Sequence, residues 1–196
     1  MIVILDNGHG AETAGKCSPV WADMTQLKEY EFNRDITALI SYKCKMAHIP
    51  FVMLVPEYSD ISIAERVKRA DAVYCKDRGA FLFSIHANAG GGTGWEAWTS
   101  KGKTKSDEYA TILYEEAERA FGKEWKIRKD TLDGDPDKES QFYILKHTKC
   151  PAVLSENFFM DTERDCRFIM SHEGRERIAE VHFRAIKRIF DKYGKD

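Results

Sequence analysis

The sequence predicts an α/β fold: a single three-layer domain over residues 1–196, with a mostly parallel twisted sheet between helices on both faces. Three observations predict it. Short continuous apolar runs alternate with stretches of helical periodicity, the pattern left by strands covered on both faces and by their crossover helices. A length of 196 residues suits one core. The composition, 43% hydrophobic and 32% charged, is that of a packed globular chain and excludes a disordered one.

Each element follows from local pattern. Residues 2–5 are an unbroken apolar run, read as a buried strand, and Asp6-Asn7-Gly8-His9-Gly10 closes it in a turn. From Glu29 to about Met46, Phe32, Ile36, Leu39 and Ile40 recur at helical spacing. A second strand is predicted at 50–55. Ser62 and Glu65 then have the spacing of a capping box, and Gly79 suits the far end of that helix. A third strand follows at 80–85, and 95–99 alternates large and small residues as an edge strand would. Tyr109, Ile112, Leu113, Ala117 and Phe121 predict a helix that Gly122 ends. Residues 132–139, rich in Asp, Gly and Pro, read as a surface loop. Two apolar strands are predicted at 142–145 and 152–154, then a short helix capped by Asp161. A last helix runs from Glu173 to Tyr193 with Ile178, Val181, Ala185, Ile186 and Ile189 on its apolar face.

Charge and hydropathy exclude several partners. Thirty Lys and Arg against 32 Asp and Glu leave a net charge of −2, and the interspersed signs give no basic face, so nucleic acid is not expected. No run of about 18 apolar residues occurs, so no membrane span is expected. The opening run lacks a cationic leader and meets Asp6 too soon to be a secretory signal. The five cysteines are scattered and form no CxxC pair, which argues for reduced, buried thiols over a disulfide framework or a structural zinc knuckle.

Three predicted strands are followed at once by a side chain competent in metal binding or acid–base chemistry: His9, His86 and Glu156. In an open parallel sheet the C-terminal strand ends share one edge, where ligands bind. Gly8 and Gly10 flank His9, and Ala87, Asn88, Ala89 and Gly90 follow His86, leaving both imidazoles room to face a cleft. Two histidines make an incomplete zinc site, since catalytic zinc usually takes three protein ligands and keeps one position open. Glu29, at the start of the first helix, is the candidate third ligand, with Glu31 its rival. Two imidazoles and a carboxylate suit zinc better than a thiolate-selective ion, at one ion per chain. Glu156 is then left as the general base, with Glu12 and Glu96 next in line. Asp6 and Asn88 are candidates to orient the ligating histidines. His48, His147, His172 and His182 read as helix-end or surface residues. Trp21, Trp95, Trp98 and Tyr30 suit either a substrate groove or the core.

The segments Asp6-Asn7-Gly8-His9-Gly10, Lys28-Glu29 with Asn33, Ser84-Ile85-His86-Ala87-Asn88-Ala89 and Pro151-Ala152-Val153-Leu154-Ser155-Glu156 resemble those of the zinc-dependent N-acetylmuramoyl-L-alanine amidases of the Amidase_3 type. The likeness covers nearly the whole chain and extends to Arg66, Gly94-Trp95-Glu96, Phe142-Tyr143-Ile144-Leu145 and Asp165. It implies zinc held by His9, Glu29 and His86, and Glu156 as the catalytic glutamate. Two departures stand out: Asn7 where the family often has Pro, and Asn157-Phe158-Phe159 after Glu156 where it often has x-Gly-Phe.

The expected activity is hydrolysis of the amide between N-acetylmuramic acid and L-alanine in peptidoglycan, as a single catalytic amidase domain without a separate wall-binding domain. The alternatives are a zinc peptidase on the same scaffold and a non-catalytic wall-binding module. Synthesis in the cytoplasm without a visible signal peptide, followed by release to the cell wall, fits a phage or prophage endolysin.

Overall fold

A computed structural model describes residues 1–194. The elements run β1 (Val3–Asn7), α1 (Glu29–Met46), β2 (Phe51–Met53), α2 (Ile63–Lys76), β3 (Phe81–Asn88), β4 (Trp95–Ser100), α3 (Lys105–Phe121), β5 (Lys138–Ser140), α4 (Tyr143–His147), β6 (Ala152–Phe159), α5 (Glu163–Met170) and α6 (His172–Tyr193). They form the expected three layers around one six-stranded sheet of order β2-β1-β3-β6-β4-β5. The first four strands of that order are mutually parallel, and β4 turns the sheet antiparallel against β6 before β5 pairs parallel with β4.

The central strands read as continuous apolar runs because both of their faces are covered. Val3, Leu5, Phe83, Ile85 and Val153 pack under α1, α3, α5 and α6. Ile4, Leu82 and Leu154, the alternate residues, pack with α2 and α4. α1 is amphipathic as predicted, with Phe32, Ile36 and Ile40 fully buried. Ser62 accepts from the Glu65 N–H at 3.3 Å, fixing the start of α2, and Thr104 and Asp107 form a complete capping box on α3.

Five local expectations need correction. Residues 142–145 are not a strand: Tyr143–His147 is a short helix that buries Ile144 and Leu145 and leaves Phe142 and Tyr143 exposed. A four-residue apolar run carries too few residues to separate period 2 from period 3.6. Within the predicted loop 132–139, Lys138 starts β5, whose backbone pairs with Trp98, Thr99 and Ser100 at the sheet edge despite its polar sequence. Asp161 does not cap α5; its carboxylate accepts from the Gly90 and Gly91 N–H groups at 2.6 and 2.9 Å. His182 is not a surface residue but fully buried beneath β6. All five thiols are free, but the expected burial holds only for Cys44, Cys150 and Cys166; Cys17 and Cys75 are exposed.

β3 and β6 also run further than expected, so His86 and Glu156 lie within them as a register pair. Beyond that pair the register shifts by one residue, Asn88 pairing with Phe159. Phe158 takes up the shift with φ 66°, a left-handed backbone uncommon for a residue with a β-carbon. Edge-on packing of its ring against Phe121, Trp125 and Phe168, at centroid distances of 5.1, 5.0 and 4.9 Å, holds it there.

Candidate metal centre

The C-terminal ends of β1, β3 and β6 lie side by side, and the N-terminus of α1 enters over them. β1 delivers His9 through a turn in which His9 itself has φ 65°. Arg66, buried in α2, holds that turn. Its guanidinium donates to Asp6 Oδ1 at 2.7 Å, to the Asn7 carbonyl at 2.8 Å and to the His9 carbonyl at 3.0 Å. Gly8 is required by what it faces: a β-carbon there would stand 2.1 Å from His86 Cε1. Gly10 lies equally close to the Asp60 backbone, at 2.3 Å for a β-carbon.

Glu29 is the first residue of α1 and is 1% exposed. Its Oε1 lies 3.3 Å from His9 Nε2 and 3.1 Å from His86 Nδ1, and also accepts from the Ala87 N–H at 3.2 Å. The two imidazoles meet edge to face with centroids 4.9 Å apart. Burial works to raise the Glu29 carboxyl, but its hydrogen bonds to His86 and His9 outweigh that and hold it well below the usual carboxylate range. Burial opposes a charged His86 ring, and the hydrogen bond to Glu29 reverses the balance and raises it. Each partner thus favours the charge of the other.

These residues fit a zinc ion on their own geometry. One donor atom from each of His9, Glu29 and His86 lies within 4.8 Å of the others, the one such group among the described residues. Tetrahedral zinc with bonds near 2.1 Å separates its ligand atoms by about 3.4 Å, near the observed 3.1 and 3.3 Å. Glu29 Oε2 is buried without a hydrogen-bond partner; the nearest cation is Lys16 Nζ at 4.0 Å. Glu31, the rival, is exposed, accepting from Tyr30 and pairing with Lys28.

Glu156 stands across from the triad as the register partner of His86. Its Oε2 is buried and unpartnered, and no Lys or Arg pairs with it among the described residues. Burial is the main cause that pushes its carboxyl up to about 7, with His86 pulling the other way. Glu96, its register partner on β4, differs: Arg128 Nε and Lys138 Nζ hold it at 2.6 and 2.8 Å, and with both in place its carboxyl lies low despite burial. Glu12 is exposed and accepts from the Asp60 N–H.

The two residues expected to orient the histidines do other work. Asp6 binds Arg66 and Ser84, and Asn88 donates to Glu96 at 2.8 Å. Trp95 is fully buried, whereas Trp98 lies partly exposed beside Phe142 at 5.4 Å. A cleft of about 220 Å³ adjoins the triad, with Ile61, Ile63 and Ile144 as its apolar wall and Asp60 and Arg66 at its polar side. Sequence reasoning missed the Arg128–Glu96–Lys138 cluster, because its members come from three separate segments. It also missed Lys16, which no local pattern marks.

A family model described as N-acetylmuramoyl-L-alanine amidase matches residues 3–188. The N-acetylmuramoyl-L-alanine amidase CwlM of Bacillus licheniformis is 27% identical over 192 residues, covering 96% of this chain and 68% of that protein. The endolysin of Bacillus phage SPP1 is 24% identical over 199 residues, covering 97% and 66%. Among solved structures, an N-acetylmuramoyl-L-alanine amidase from Clostridium difficile 630 has the same fold, with a TM-score of 0.81 at 22% identity over 98% of both chains.

Proposed function

This chain belongs to the N-acetylmuramoyl-L-alanine amidase family, and from that premise we propose that it is a zinc hydrolase of peptidoglycan, cleaving the amide between N-acetylmuramic acid and L-alanine. The observation that carries this reading is the convergence of His9, Glu29 and His86 within 4.8 Å, facing an unpartnered buried oxygen of Glu156. His9, Glu29 and His86 would hold the ion. Zinc bound there would supply Lewis acidity toward the scissile carbonyl and a water.

The chain's own residues do the rest. Glu156 accepts a proton from the attacking water and returns it to the nitrogen of the departing L-alanine. A carboxyl raised by burial suits both steps, since a base near the working pH also gives up its proton readily. Arg66 holds the main chain of the His9 turn, and the contact with Glu29 sets the His86 ring beside that carboxylate before any ion arrives. The partly exposed Trp98 and Phe142, with the cleft beside His9, offer contact surface for glycan or stem peptide.

Metal analysis of the purified protein, with turnover of insoluble peptidoglycan before chelation, after it and after zinc is restored, tests the reading. About one zinc per chain and chelator-sensitive release of new N-terminal L-alanine are expected. Full activity in a zinc-free preparation overturns the metal assignment. New termini within the stem peptide, with none at L-alanine, would assign a peptidase instead.

A further inference from the structure

The peptide unit joining His86 to Ala87 is gripped at both ends by side chains. Its N–H donates to Glu29 Oε1 at 3.2 Å. Its carbonyl accepts from Asn157 Nδ2 at 3.0 Å. In a trans peptide these groups point in opposite directions, so Glu29 and Asn157 hold one plane from two sides. The grip falls where the β3–β6 register shifts, at a bulge, where the backbone ladder is disrupted and cannot fix the plane by itself.

Asn157 is itself locked, with no exposure. Its Oδ1 accepts from Trp95 Nε1 at 2.8 Å, and its amide also donates to Ser155 Oγ at 3.0 Å. His182 lies 2.9 Å from that hydroxyl through Nε2 and 2.8 Å from the Ile178 carbonyl through Nδ1. A carbonyl only accepts, so Nδ1 carries the proton and Nε2 accepts from Ser155. Every polar group in the chain from α6 to β3 is therefore paired, the bonds running outward from the Asn157 amide, one way through Ser155 and His182 to the Ile178 carbonyl and the other way to the His86 carbonyl. Such a fully satisfied buried network specifies one arrangement of the groups it joins.

We infer that Asn157 is a positioning residue of the metal centre: by holding the His86 carbonyl it sets the tilt of the peptide whose N–H, together with the His86 ring, engages Glu29. The inference rests on the reading that His86 and Glu29 are ligands. Outer hydrogen bonds that orient ligands are worth about 10 to 100-fold in metal affinity. Asn157 touches no ligand side chain, so it acts through the backbone alone.

Asn157→Asp keeps the size and the acceptor for Trp95 but turns an acceptor toward the His86 carbonyl. Zinc affinity, measured by competition with a chromogenic chelator, is expected to fall about 10 to 100-fold. In the metal-free protein, exchange of the Ala87 amide should speed up by about tenfold or more. Ser155→Ala, which removes only the anchor behind Asn157, should shift both readouts the same way by less, and it decides the matter if Asn157→Asp does not fold. A purely structural Asn157 would lower the melting temperature and leave zinc affinity and Ala87 exchange at wild-type values, and that result overturns the inference. If the wild-type chain binds no zinc, the ligand reading fails, and Ala87 exchange still decides whether Asn157 sets the peptide.

Discussion

Glu156 and Asn157 are neighbours in β6, yet alternation sends them to opposite faces of the sheet and into opposite circumstances. Behind the strand, Asn157, Ser155 and His182 pair every polar atom they bury. In front of it, Glu156 buries an oxygen with no partner, and so does Glu29. Buried polar groups in folded proteins are normally satisfied, so an orphan calls for a ligand or a reaction. The two fates of histidine repeat the contrast. Burial pushes His182 down to about 4, where it is neutral and structural, whereas Glu29 raises His86. Around β6 the sheet thus has one side whose buried polar atoms are all paired and one side where two carboxylates each keep a buried oxygen unpartnered.

The largest effect expected from breaking this contrast is on turnover. Glu156→Gln preserves the size of the side chain and removes the proton acceptor. Turnover of insoluble peptidoglycan should fall by about 10²–10⁴-fold, while zinc content by metal analysis stays near one per chain. Loss of the metal instead would make Glu156 a ligand, and intact turnover would move the base elsewhere in the cleft.

A second pair of effects has opposite signs on the two faces, read from denaturant unfolding of metal-free protein against pH. Glu156 has a folded pKa of about 7, above its unfolded value. Its contribution to stability is therefore full below about 4.5 and lost as pH rises through about 7. Glu156→Gln should stabilise the metal-free fold above pH 7 by up to about 3 kcal/mol and gain nothing near pH 4.5. His182 has a folded pKa of about 4, below its unfolded value of 6.5. The wild type should lose up to about 3 kcal/mol as pH falls from about 6.5 to about 4, a loss that His182→Gln, which cannot charge, does not share. Parallel pH profiles for wild type and both variants would contradict the assignment of the two faces.

The front of the sheet was more legible in sequence than the back. His9, His86 and Glu156 each end an apolar run, and the layer architecture needs only the alternation of runs with helical periods. His182 was misread because its helix context is amphipathic, and only tertiary packing shows that its face meets Ser155. Asn157 carried no signal beyond its position after Glu156, since its role depends on a register shift that no local pattern encodes. The strand predicted at 142–145 and the loop predicted at 132–139 failed for a related reason. Four apolar residues fit either period, and β5 is made by backbone pairing at an edge with little help from its side chains. Arg66 drew notice only through family resemblance. Its task, holding three acceptors around the His9 turn, is set by contacts about sixty residues away in sequence.

The smallest effect is expected one short step from a proposed ligand. Glu29 and Glu31 are two residues apart in the first turn of α1, which at 3.6 residues per turn is about 200° around the helix. One therefore faces the sheet edge and the other faces water. Glu29 Oε1 is shared by two imidazoles and a backbone amide, whereas Glu31 accepts from the Tyr30 hydroxyl and pairs with Lys28 at 3.7 Å on the open surface. Exposed ion pairs of this kind contribute little, often under 1 kcal/mol. Glu31→Ala should leave zinc affinity, turnover and the unfolding midpoint within error of the wild type. Glu29→Ala, by contrast, should cost the chain its metal. The control is informative because both residues place a negative charge near the positive end of the α1 dipole. If Glu31→Ala weakened zinc binding as much as Glu29→Ala, the general field of the helix terminus would be holding the ion, and direct ligation by Glu29 would have to be given up.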